Sequence, residues 1–195
     1  MAGTSVVKPT LVVYKEVVEG DLRKLKAESN DADSGGGARD LRLPWKAFRP
    51  VMHRIFTGTD TGRAGVPIRT AEVISLDKDG KSAKTRLEYW PATKSRPTED
   101  RVSKVHKSAA LGGQMPDETR GKIFVLFILY SNASIRVMYF YEDQLSDTSW
   151  ASEFRSAVAS CISSTNFVNA TRMTTRVPVR GYYDFTSGVS FCNAD

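Results

Sequence analysis

The chain has 195 residues, 41% of them hydrophobic, with 28 Lys and Arg against 22 Asp and Glu for a net charge of +6. That length suits a single domain with its own core, and no apolar run approaches the roughly 18 residues of a membrane span. The two cysteines, Cys161 and Cys192, are too few for a disulfide framework or a zinc site. The opening MAGTSVVKPT lacks the charged and apolar regions of a signal peptide, so the chain reads as a reduced, cytosolic protein. In that compartment the sequons at Asn132 and Asn169 carry no glycan. The charge is one-sided: residues 1–109 hold 21 Lys and Arg against 14 Asp and Glu, and residues 110–195 hold 7 against 8. A basic excess confined to one part of a chain attracts polyanions.

Residues 10–18, TLVVYKEVV, are β-branched and read as a strand. The polar segment 28–40 follows, with three consecutive glycines that no regular element accommodates. Leu41-Arg42-Leu43 alternates as a short strand, and Pro44 opens a helix whose apolar face carries Trp45, Phe48, Met52 and Ile55. Pro50 is expected to shorten or kink that helix. Residues 68–76 and 81–90 are extended runs joined through Asp79-Gly80, a hairpin signal. Some thirty residues from Ala92 hold little apolar content and read as a long functional loop. Residues 123–130 and 135–141 are buried strands, and a helix starting near Thr148 or Ser149 presents Trp150, Phe154, Val158 and Cys161 on one face. The tail alternates weakly and returns as strands. The sum is a strand-rich α+β domain with a barrel-like sheet, two short helices and two long polar excursions.

The second excursion carries the most chemistry. Lys94, Arg96, Arg101, Lys104 and Lys107 surround Glu99 and Asp100. Arginine donates two hydrogen bonds to guanine O6 and N7 in the major groove, and a carboxylate accepts from cytosine N4. Lysines around them suit phosphates, which position a protein without specifying sequence. In the first excursion the glycines permit close approach to a groove, and Arg39, with Arg23, Lys24 and Lys26 upstream, is placed to meet phosphates. Taken alone, the basic arm reads more readily as a solvated, salt-bridged loop than as a base reader, and the glycine segment reads equally well as a flexible surface loop. Enzymatic signals are poor. His53 and His106 stand alone, Pro116-Asp117 has no Glu-x-Lys downstream, and Asp77, Asp79 and Lys81 belong to the hairpin turn. No cofactor is expected.

The order of short motifs resembles the N-terminal effector-binding domain of EcoRII-type restriction endonucleases. They are Arg23-Lys24, Asn30-Asp31 with Gly35-Gly36-Gly37, Leu41-Arg42-Leu43-Pro44, Arg86-Leu87-Glu88-Tyr89-Trp90, and Lys94-Ser95-Arg96 before Glu99-Asp100-Arg101. The pattern spans about residues 10–110. Gly37-Ala38 stands where the family has a histidine, and Lys104-Val105-His106 replaces an Arg-Trp-Gly. The resemblance implies a DNA-binding pseudobarrel whose two arms grip a duplex from the major groove and read a CC(A/T)GG-type site. It implies base reading by Arg96, Glu99, Asp100 and Arg101, and a DNA-binding loop of Asn30, Asp33, Ser34, Gly35, Gly36 and Arg39. Phosphate contacts then fall to Arg23, Lys24, Lys26, Lys94, Lys104 and Lys107. All 195 residues would form one monomeric recognition domain, a fragment of a larger prokaryotic cytoplasmic enzyme whose separate cleavage domain uses Mg²⁺. A complete small metal-dependent nuclease and an RNA- or protein-binding barrel module are the rival expectations.

Overall fold

The computed structural model describes residues 6–26, 40–77, 79–94, 97–112, 116–171 and 177–193, with the backbone alone for residues 23, 24, 26, 167, 168, 170 and 171. Strand β1 (Pro9–Glu16) leads into helix α1 (Glu19–Lys26). Strand β2 (Leu41–Pro44) runs directly into helix α2 (Trp45–Ile55). The strands β3 (Gly58–Thr61), β4 (Pro67–Leu76), β5 (Ser82–Trp90) and β6 (Glu99–Ser103) follow, then helix α3 (Ala109–Gly112). The chain ends with β7 (Ile123–Tyr130), β8 (Ile135–Tyr141), helix α4 (Ser152–Thr171), β9 (Arg180–Asp184) and β10 (Val189–Cys192).

The strands form one curled, half-barrel sheet in the order β10-β9-β1-β7-β8-β4-β5-β6-β2, with β3 paired to β4 beside that path. Pairing is antiparallel except between β4 and β8, which meet at a single parallel position, Ile74 opposite Arg136. Strand alternation sends β1, β7 and β8 side chains to two cores. Leu11, Val13, Val125, Phe127, Val137 and Tyr139 face the inside of the curl with Phe48, Met52 and Ile55 of α2. Val12, Tyr14, Phe124, Leu126 and Phe140 face outward, under Phe154, Val158, Cys161 and Ile162 of α4. Strands buried on both faces read as continuous apolar runs, which is why IFVLFILY stands out in the sequence. The β4–β5 hairpin closes as its Asp-Gly predicts: Gly80 takes φ +76°, and Asp77 Oδ1 accepts from the backbone N–H of Asp79 and Lys81.

Four expectations change. Helix α1 was not legible, because its eight residues have only Leu22 and Leu25 as buried apolar anchors. The long loop after Ala92 contains β6, whose inward residues are one apolar side chain and one carboxylate rather than an apolar pair. α4 is a full helix of 20 residues, not a short one, and among the described residues four α-helices stand where two were expected. Cys161 and Cys192 form a disulfide joining α4 to β10, so the expectation of reduced cysteines is corrected: residues 31 apart in sequence become neighbours only when the β9–β10 hairpin returns to the helix. Pro50 lies within α2, which continues past it to Ile55. Among the described residues no helix is long and apolar enough to cross a membrane.

Candidate nucleic-acid interface

Strand β6 organises the candidate site. It pairs on one edge with β2, from Leu41 opposite Val102 to Pro44 opposite Glu99, and on the other with the end of β5, where Trp90 opposes Arg101. Residues opposite one another share a face. Arg42, Glu99, Arg101, Ser103, Glu88 and Trp90 therefore line one face of this three-stranded platform, while Leu41, Leu43, Asp100, Val102, Leu87 and Tyr89 are buried on the other. The partly exposed Arg101 guanidinium lies 5.8 Å from the Trp90 ring centroid, and its Nη1 is 3.2 Å from Asp40 Oδ2.

Asp100 is thereby corrected as a base-reading residue. It is fully buried, and both carboxylate oxygens are engaged. Arg49 donates to them from Nε and Nη2 at 2.8 and 2.6 Å, the Ala92 N–H donates at 2.6 Å, and the Tyr89 hydroxyl donates as well. Burial alone would raise this carboxyl, but the Arg49, Tyr89 and Ala92 hydrogen bonds together hold it below the ordinary carboxylate range. The physical reason is strand alternation: adjacent residues of β6 cannot both face outward. Asp100 locks α2, β5 and the loop before β6 together, and Glu99 and Arg101 are outward because Asp100 is inward.

Beside the platform lies an open cleft of about 600 Å³. Its cationic wall is Arg63, Arg101, Lys104 and Lys107, with His106 among them; its carboxylates are Asp40, Asp60 and Glu88, with Trp90 between. Two of these cations, Arg101 and Lys104, are anchored by carboxylates. Lys104, at φ +66°, pairs with Glu88, whose carboxylate also accepts from Trp90 Nε1 at 3.1 Å. Burial would raise Glu88, yet Lys104 and Trp90 hold it below its usual range. Arg86 pairs with Asp60, and Arg42 Nη1 stands 3.6 Å from Glu99 Oε2. Gly62 lies flat on the Trp90 ring, where an added Cβ would collide, so the β3–β4 connection, which carries Arg63 and follows Asp60 of β3, is seated on that indole.

Of the sequence-predicted residues, Arg101, Lys104 and Lys107 meet in the cleft, Glu99 lies on the adjoining platform, and Lys94 is exposed in the connection before β6. Arg96 and the loop residues Asn30, Asp33, Ser34, Gly35, Gly36 and Arg39 lie outside the described residues, as do the side chains of Arg23, Lys24 and Lys26. The backbone of α1 packs against the turn Val105–Lys107, next to the cleft. Arg42, Arg63, Glu88 and Trp90 were not expected there. Alternation in RLEYW would have put Arg86, Glu88 and Trp90 on one face, but the register against β6 has no local signature. Asp117 accepts from the Thr119 N–H and hydroxyl and caps a short turn. Among the described residues no three His, Cys, Asp or Glu side chains group as a metal site.

No protein-family model matches this sequence, and no curated protein sequence matches it.

Proposed function

We propose that this chain is a sequence-specific double-stranded DNA-binding domain, the recognition part of a type II restriction endonuclease that reads a CC(A/T)GG-type site. The observation that carries the reading is the β2–β6 ladder. The first polar excursion enters it at Asp40 and Leu41, and the second enters at its other end, at Glu99. Four paired residues span about 10 Å, close to the roughly 12 Å width of the major groove. Between these two points the outward side chains are Arg42, Glu99 and Arg101, the residue types that address guanine and cytosine edges. Lys104, Lys107 and Arg63 in the adjoining cleft suit phosphates. Arg96, and Asn30, Asp33, Ser34, Gly35, Gly36 and Arg39 of the first excursion, complete the base-side contacts, with Arg23, Lys24, Lys26 and Lys94 on the backbone.

The chain in this reading binds without cutting; Mg²⁺ enters only with a separate cleavage domain. Selection of bound duplexes from a random library, followed by competition with single-stranded DNA and duplex RNA, tests it. Enrichment of a short G·C-flanked motif, with duplex DNA the strongest competitor, is the expected result. Equal competition by all three polyanions, or no enriched motif, overturns the reading in favour of a general polyanion or RNA module.

A further inference from the structure

The outer core is less fully covered at one end of the sheet, where Tyr130, Met138, Trp150 and Phe185 are only partly buried. α4 begins at Ser152, and its inward residues from Phe154 onward pack over Val12, Tyr14, Phe124, Leu126 and Phe140. Beyond that start, Ile128, Tyr130, Met138 and Arg136 continue the same face of β7 and β8. They form one wall of a cleft of about 790 Å³, whose other wall is Trp150, Phe154 and Phe185. The volume lies in the range of small-molecule sites, and the lining is mainly aromatic and aliphatic with few polar groups. None of these residues belongs to the platform or cleft around Arg101.

The charge at this cleft selects its occupant. Arg120 is paired with Asp143, Lys122 with Glu16, and Arg155 donates to the carbonyls of Trp150 and Leu145. Arg136 instead rests its guanidinium over the Tyr130 ring, 5.6 Å from the centroid, and forms no salt bridge with a carboxylate among the described residues. Lys8 lines the same cleft. The cleft's one carboxylate among the described residues, Asp147, accepts from the Ser149 N–H at 2.8 Å. Two cations thus face one engaged acid at the rim of an apolar, aromatic trough. We infer that this cleft is a binding site for a small amphipathic carboxylate, its apolar body between Met138, Trp150 and Phe185 and its carboxylate on Arg136. A guanidinium presents paired N–H donors to a carboxylate, and a cation already held against a ring gives up little freedom on binding.

The test uses the whole chain and a panel of benzoate, 1-naphthoate and octanoate against their neutral primary amides, with Trp150 fluorescence and calorimetry as readouts. The expected result is saturable binding of at least one carboxylate, roughly tenfold tighter than its amide. In a folded Arg136→Gln protein that preference should disappear while the amide's affinity stays the same, and the fluorescence change should vanish in Trp150→Phe. The inference is overturned if no carboxylate of the panel saturates at millimolar concentration, or if amide and carboxylate bind the wild type equally. It is also overturned if Arg136→Gln leaves the preference intact, or if sedimentation shows this cleft closed by a second copy of the chain. None of these outcomes depends on DNA binding.

Discussion

Asp100 and Glu99 are chain neighbours on β6 with opposite surroundings, and substitutions should separate them. Asp100→Asn removes the charge that Arg49, Tyr89 and Ala92 converge on. The cost should fall at roughly 2–4 kcal/mol, between a lost buried hydrogen bond and a broken buried ion pair. Chemical denaturation measures it; a loss under about 1 kcal/mol contradicts the structural role. The same carboxyl sets a pH response. Its folded-state pKa lies below its unfolded one, so its contribution is fully present above the unfolded value and is lost as pH falls through the folded value. Acid unfolding of the wild type should therefore steepen below about pH 4, and Asp100→Asn should flatten that limb. Glu99→Ala should leave the melting temperature nearly unchanged, since its ion pair with Arg42 is long and partly exposed. Removing a negative charge favours random DNA, whereas loss of a cytosine contact weakens the cognate duplex. The cognate-to-random affinity ratio should fall; an equal rise of both affinities makes Glu99 an ordinary solvated charge.

At the level of elements, two connections decide whether the site holds its shape. Gly62 seats the β3–β4 connection on Trp90, and Trp90 underlies Arg101. Gly62→Ala must lift one from the other, with an overpacking cost of about 1–3 kcal/mol. Duplex affinity should fall with it, and the comparison control is Gly20→Ala, where an added methyl meets nothing. The second connection is the Cys161–Cys192 bridge. Among the described residues β10 pairs only with β9, and its Phe191 stacks on Tyr182 at 5.5 Å and meets Phe48 of α2 edge-on at 5.8 Å. A crosslink closing a loop of this size constrains the unfolded chain by roughly 3–4 kcal/mol. Double replacement of both cysteines by serine should lower stability by up to that amount, and thiol titration of the unfolded native protein should count no free thiols. Two free thiols would return the cysteines to the reduced state expected from sequence.

Across the whole molecule, the basic surplus of residues 1–109 is partly spent internally: Arg42, Arg49, Arg86, Arg101 and Lys104 all meet carboxylates. Net charge thus overstates the phosphates the domain can neutralise. Each neutralised phosphate contributes about −0.9 to the slope of log K against log salt. The slope for duplex binding should be steep yet smaller than the cation count suggests, and Lys107→Ala should reduce it by about one. A slope near zero removes phosphate contact from the interface. Incubation of a plasmid with Mg²⁺ or Mn²⁺ should yield no protein-dependent nicking; cleavage that survives purification would favour the small-nuclease rival.

The strands β1, β7 and β8, the β4–β5 hairpin and helix α2 were legible because burial, alternation and turn chemistry are local properties of neighbouring residues. The concentration of basic residues before Ala110, and the polar stretch that contains Glu99 and Arg101, were equally open to reading. Only the tertiary structure decided that Asp100 turns inward, that Arg42 stands opposite Arg101, and that Glu88, Trp90 and Arg63 join Lys104 in one cleft. Those outcomes depend on pairing register, and a shift of one residue would exchange the two faces of β6 without altering a single propensity. The Cys161–Cys192 bridge belongs with them: two distant cysteines carry no information about separation until a hairpin and a helix are packed on the same sheet.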